Sequence, residues 1–405
     1  MSKTIKKLIK KSFIVWCYLE DAIAPFCAKL TGKYIVNALT PVSKSNVRRS
    51  LIIYISEPFS GRLSRKHTNE REVLTMAEAL TDIGFVVDVM DYRNPFSFSL
   101  SNYDLIIGFG DPFERVFYEE DNRAVKIFYA TGASQAIHCY SEVERIRDVA
   151  RSKGVRLTPK RVLDRVWPCS EILSDAVISV TDGWARSTFE IHHSKVFSVP
   201  VTSLSNLDKD NFDLHEKKKN HFVWFGSRGA IHKGLDLCLE AVKNRNDLVL
   251  HICGSVIEEK DFFSAFREEL EMPNVVYHGF IDVNSDEMKH VMNQASFVLL
   301  PSCSEGCATS VLTCMSWGCI PVVTPQCGIS FSGRVEIKDL SVQAVYSAIE
   351  KCLSLDSSMY YQLMHQSREW VEEFHSIEMY KDELKKALLN ILASTYVGRG
   401  EFIEG

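Results

Sequence analysis

Between Ala295 and Thr324 the chain reads ASFVLLPSCSEGCATSVLTCMSWGCIPVVT, two apolar runs separated by a small-residue loop and room for a short helix. Neither run, Ser296 to Pro301 or Cys319 to Thr324, alternates as a half-exposed strand would. Both faces must therefore be covered, which predicts interior strands of a parallel sheet flanked by helices. The loop Ser302-Cys303-Ser304-Glu305-Gly306 then lies just past the carboxyl end of a strand, where open α/β sheets take their ligands. Glu305 is thereby delivered into a crevice. Behind it the amides around Cys307 to Ser310 open a helix, whose N-terminal donors and dipole favour an anion such as phosphate.

The same pattern extends in both directions. Strands are predicted at Ser50 to Ser56, Phe85 to Met90, Tyr103 to Gly108, Lys126 to Ala130, Asp175 to Val180 and Lys195 to Val199. Helical spacing falls at Asn69 to Ile83, with Gly84 suited to its C-terminal cap, and a charged helix runs from about Ser141 to Lys153. A polar stretch, SLSNLDKDNFDLHEKKKN, comes next and reads as a linker. A second series begins at His221 to Phe225 and continues through Leu248 to Cys253, Val275 to His278, Phe297 to Leu300 and Ile320 to Val323. At 405 residues the chain exceeds one ordinary core. The division predicted is a basic segment over 1–47, a first Rossmann-like domain over 48–202, a linker over 203–220, a second such domain over 221–375 and a terminal helix and tail over 376–405. Strands alternating with helices imply right-handed parallel crossovers in each.

Composition narrows the class. The twelve cysteines lack paired metal-ligand spacing and read as small core residues in a reducing cytoplasm. No run of about eighteen apolar residues occurs, so no spanning helix is predicted, and no convincing secretory signal is present. The net charge is −5, but bases crowd the start of the chain. Ile5, Leu8, Ile9, Phe13 and Trp16 fall at helical spacing with lysines on the other faces, so residues 2–19 form either a membrane-surface helix or a terminal helix docked on its own domain.

One further turn carries chemistry. Phe225-Gly226-Ser227-Arg228-Gly229-Ala230-Ile231-His232-Lys233-Gly234 joins the first strand of the second domain to its first helix. Glycines let backbone approach a ligand, and Arg228 and Lys233 across such a turn either converge on a diphosphate or are ordinary surface charges.

Together these residues resemble the nucleotide-sugar glycosyltransferases of the GT-B fold in the large retaining family four. Its signature runs P-S-x-x-E-G, a second Glu eight residues after the first, then Gly and P-V-V. Here stand Pro301-Ser302-Cys303-Ser304-Glu305-Gly306, Met315-Ser316-Trp317-Gly318 and Pro321-Val322-Val323, with Thr313 in place of the second Glu. The resemblance implies two Rossmann-like domains facing across a cleft, donor on the second and acceptor on the first, with the last helix, about Ser376 to Leu392, crossing back to the first. It implies transfer of a sugar, with retention, from a nucleoside diphosphate to a hydroxyl of a glycan or lipid-linked acceptor, in cell-surface polysaccharide or glycolipid assembly. The sugar nucleotide is a co-substrate, no cofactor or metal is required, and nucleic acid is not an expected partner. The placement implied is cytoplasmic, or at the inner face of the membrane through residues 2–19.

By the same resemblance Arg228 and Lys233 grip the pyrophosphate, with the amides near Thr309 and Ser310, and Glu305 contacts donor-sugar hydroxyls. Gly226, Gly254, Phe280, Gly306 and Gly328 border the nucleotide and donor sugar, Gly254 and Phe280 through backbone. A functional His of the family falls near Tyr129-Ala130-Thr131-Gly132-Ala133-Ser134, where either Ser134 or His138 is the candidate, or His138 is structural. Thr313 removes a charge-assisted ribose contact on the order of 1.5 to 3 kcal/mol, which leaves weaker donor binding, another nucleotide pose or lost activity open. Two rivals remain: a degenerate GT-B protein that binds sugar nucleotide or glycan without turnover, and a sugar-nucleotide epimerase on the same fold.

Overall fold

The computed structural model describes residues 23–41, 48–61, 63, 67–120, 122–204 and 214–399. The amphipathic segment expected at residues 2–19 and linker residues 205–213 lie outside these.

The first sheet holds β1 (Tyr34–Leu39), β2 (Arg48–Tyr54), β3 (Phe85–Asp91), β4 (Leu105–Gly108), β5 (Val125–Ala130), β6 (Ala176–Ser179) and β7 (Val196–Ser198) in the order β1-β3-β2-β4-β5-β6-β7. All pairs are parallel except β1 on β3, an antiparallel edge strand that the sequence reading left within the basic segment. The second sheet, wholly parallel, holds β8 (Lys218–Phe225), β9 (Val249–Cys253), β10 (Val275–Gly279), β11 (Ala295–Leu300), β12 (Ile320–Val323) and β13 (Val335–Glu336) in the order β10-β9-β8-β11-β12-β13.

The burial explains why the apolar runs lack alternation. Along β2, Ile52 and Tyr54 join the main core while Leu51 and Ile53 join a second cluster on the opposite face. In β11 every residue from Ala295 to Leu300 is buried. The one polar side chain in that run, Ser296, is met by the Lys218 carbonyl at 2.8 Å and the Tyr360 hydroxyl at 2.5 Å, as burial of a hydroxyl requires.

Strand order also places the crevice. In the second sheet the order reverses between β8 and β11, so the turns leaving those two strands flank a topological switch point. These are the turns at Gly226–Gly234 and Pro301–Ala308. The first sheet faces them across contacts that include a buried ion pair, Arg145 to Asp236 at 2.6 Å. The last helix, Ile377–Arg399, packs on the first-domain helix Asn69–Asp82, with Lys381 on Glu78 at 3.1 Å and Lys385 on Asp82 at 3.3 Å. Its Tyr380 hydroxyl lies 3.2 Å from that of Tyr129. The expected return of the chain to the first domain is therefore present.

Candidate active site

The turn after β8 is held from two sides. Trp224, fully buried at the end of β8, donates its indole N–H to the Lys233 carbonyl at 3.1 Å and so closes the loop on itself. Glu259 accepts from the amides of Gly229 at 2.5 Å and Ala230 at 3.1 Å. Burial pushes the Glu259 carboxyl up, against the pull of those two amides. Gly226 and Gly254 lie against each other, and a Cβ on Gly254 would overlap the Gly226 carbonyl. The Gly254 amide donates to the Gly279 carbonyl at 2.7 Å, which brings the loops after β9 and β10 together beside the turn; Phe280 comes next and is exposed.

On this frame Lys233 is directed inward and pairs with Glu305 from the turn after β11, both side chains largely buried. Ser302 donates its hydroxyl to the same Glu305 oxygen at 3.0 Å. Burial alone would raise the Glu305 pKa, but the Lys233 ammonium, then His232 and Arg161, hold it at about 2. Arg228 is exposed at the outer end of the turn. The structure thus joins Lys233 to Glu305 and leaves the Arg228 guanidinium at the surface, on the segment that opens the same turn.

Histidines flank the pair. The Nε2 of His138 lies 3.0 Å from the Arg161 carbonyl, which can only accept, so the proton sits on Nε2 and Nδ1 accepts from the Ser304 hydroxyl at 3.0 Å. His232 Nε2 likewise donates to the Ser304 carbonyl at 2.5 Å, and the two rings lie 4.9 Å apart. Burial lowers the pKa of His138 and pushes that of His232 down to about 3, so both are neutral near pH 7. Of the two first-domain candidates, His138 reaches the Glu305 loop. Ser134 instead donates to Glu171 at 2.9 Å inside its own domain.

Thr309 and Ser310 open the helix Thr309–Ser316 and are half-buried. Thr313, on its next turn, is buried and donates its hydroxyl back to the Thr309 carbonyl at 2.9 Å. Gly306 and Gly328 bring the second domain onto the first. A Cβ on Gly306 would lie 2.5 Å from the Thr131 carbonyl, while Gly328, at φ 68°, lies against the Gly306 carbonyl and accepts from Thr181 at 3.2 Å. Beside this contact a polar cavity of about 240 Å³ opens between Tyr54, His67, Glu72 and Thr131 of the first domain and Cys307 and Thr309 of the second.

Sequence reasoning did not assign His232, Glu259 or Arg161. His232 stands inside the turn already singled out, next to Lys233, and its position was the available signal. Glu259 and Arg161 meet the turn from 29 or more residues away, with no local pattern to announce them.

The architecture is the GT-B glycosyltransferase fold. Residues 207–331 match the family model described as Glycosyl transferases group 1. Among solved structures, sucrose-phosphate synthase from Thermosynechococcus elongatus is similar at a TM-score of 0.54 and 12% identity, over 86% of this chain and 100% of that one. Anabaena HepE, solved with UDP and glucose, is similar at 0.51 and 11%, over 85% and 99%. A Staphylococcus aureus TarM variant in complex with fondaparinux, α-GlcNAc-glycerol and UDP gives 0.48 and 15% over 71% of this chain, which spans 55% of that protein. A search of curated protein sequences gave no match.

Proposed function

We propose that the chain transfers a sugar from a nucleoside diphosphate to an acceptor hydroxyl with retention of anomeric configuration. The observation that carries this reading is the meeting of Lys233 and Glu305 at the switch point, behind which a helix N-terminus opens. A departing diphosphate gains negative charge as an oxocarbenium-like sugar forms. Fixed cations and peptide donors that oppose that charge lower the barrier most where water is excluded. Lys233 is already oriented by Glu305 and retains further ammonium donors, Arg228 is available from the open side of the turn, and Thr309 and Ser310 open the helix that follows the Glu305 loop. Glu305, ionised and fixed, is suited to accept from donor-sugar hydroxyls. The charge is met in this scheme without a divalent ion, and no cofactor has a part in it.

HepE, a protein of the same fold, binds UDP and glucose, which supports a sugar nucleotide as donor here. The acceptor side is the first domain, with a glycan or lipid-linked hydroxyl in the polar cavity beside Thr131, in cell-surface polysaccharide or glycolipid assembly. No helix among the described residues is long and apolar enough to cross a membrane. In this reading contact with a lipid-linked acceptor uses residues 2–19 at the membrane surface. Binding without turnover is a second reading, favoured by one observation: the Thr313 hydroxyl is spent on its own helix rather than offered to a ribose.

The deciding assay tracks nucleoside diphosphate release across a panel of sugar nucleotides, with and without lipid-linked glycans, and the anomeric configuration of the product by NMR. Transfer with retention, unchanged by EDTA, is expected. Tight nucleotide binding with no turnover on any donor would replace this reading with the second.

A further inference from the structure

We propose that Arg161, a first-domain residue lying across Gly229, is a third cation for the donor diphosphate, so that donor binding bridges the two domains; this rests on the donor site proposed above.

Its backbone is fixed by first-domain groups. The Lys160 and Arg161 amides donate to the buried Glu142 carboxylate at 2.7 to 2.9 Å, and the Arg161 carbonyl accepts from His138. The segment is also tied to the second domain, through Thr158 N–H to Asp261 at 2.7 Å and Lys160 to Asp261 at 3.2 Å. From this double anchorage the Arg161 side chain crosses onto the turn after β8. A Cβ built on Gly229 would lie 2.7 Å from its Cγ and 3.1 Å from its Cδ, so the missing side chain at 229 is what admits it.

Among the described residues the head group has no carboxylate of its own. Its Nε is buried and has no hydrogen-bond partner among the described residues. The neighbouring acids are engaged elsewhere: Glu305 by Lys233, Glu259 by the Gly229 and Ala230 amides, and Glu142 by the amide of Arg161 itself. A buried donor left unmet is uncommon in a folded protein and is expected to find an acceptor in a bound state. The planar guanidinium suits paired phosphate oxygens. Arg228 and Lys233 stand on the same turn, so a diphosphate held there meets cations from both sides of the cleft.

The test is isothermal titration of the full-length protein with nucleoside diphosphates of each common base and the matching monophosphates. Arg161→Met keeps the methylenes that pack on Gly229 and removes the charge; Arg161→Lys keeps a charge without the fork; Arg228→Ala reports on the donor site itself. The expected result is a loss of about ten- to hundredfold in diphosphate affinity for Arg161→Met, exceeding its loss for the monophosphate, a smaller loss for Arg161→Lys, and melting temperatures near the parent's. Parental diphosphate affinity in Arg161→Met beside a loss in Arg228→Ala would overturn this inference and leave the donor site standing. Parental affinity in both variants, or no diphosphate binding by the parent, would remove the donor site and the inference together.

Discussion

Replacing Lys233 by Met should damage stability as well as chemistry, and the structure sets the size of the effect. Glu305 titrates at about 2 in the folded protein, against an ordinary value of 4.5, although it is buried. That displacement corresponds to about 3 kcal/mol. Because the folded value lies below the unfolded one, this stabilisation is fully present above pH 4.5 and is lost as pH falls toward 2. Lys233 is the largest of the groups holding the pKa down, so its removal strands a carboxylate in a site nearly closed to water, a loss in the range of about 3–5 kcal/mol typical of broken buried pairs. Thermal melts at pH 7 should show the Lys233→Met variant about 6–20 °C below the parent, at about 2–4 °C per kcal/mol for a domain of this size. Adding Glu305→Gln should recover part of the loss, since no uncompensated charge then remains. A melting temperature within about 1 °C of the parent for Lys233→Met, or strictly additive effects in the double variant, would refute the reasoning.

Other consequences are distinct in kind. Arg228→Ala removes an exposed side chain and should shift stability by no more than about 0.5 kcal/mol while lowering the rate of diphosphate release at least tenfold; unchanged turnover removes Arg228 from the site. Acid should weaken the second domain early, because His221, His251 and His278 form a hydrogen-bonded file at 2.9 and 3.0 Å and burial depresses all three, His251 to about 3. The unfolded chain binds protons there first, so melting temperature should fall from pH 6.5 downward, and a flat profile between pH 6.5 and 4.5 would contradict the file. Thr313→Glu buries a carboxylate in the helix after the Glu305 loop and should lower the melting temperature of the free protein, with recovery on adding nucleoside diphosphate if a ribose lies there; absence of recovery would argue for another nucleotide pose.

Much of this site was legible in the amino-acid order, for a physical reason. Parallel strands buried on both faces leave long apolar runs, and each run must give way to a loop at the ligand edge. Glu305 and Lys233 were placed on that argument although they are 72 residues apart. Edges were harder. β1 pairs antiparallel at the rim of the first sheet, and its short sequence YIVNAL sits among basic residues that suggested a different role. The helix Gln135–Lys153 begins six residues before its charged periodicity shows, and its first turn is what aims His138 at Ser304. Residues that act far along the chain from what they approach left the least trace. Arg161 and Glu259 are defined by what they approach, Gly229 and its neighbour, and a single sequence does not record such approaches. Lys233 reads as a loop cation in sequence and proves to be a buried partner of Glu305.

The central claim is that the turns after β8 and β11 form one anion site for a diphosphate. Calorimetric titration of the parent and of Arg228→Ala with the nucleoside diphosphate that binds most tightly tests it directly. The account predicts saturable one-to-one binding by the parent that weakens about tenfold or more in the variant and weakens further with added salt. Equal affinity in the two proteins, independent of ionic strength, would contradict it.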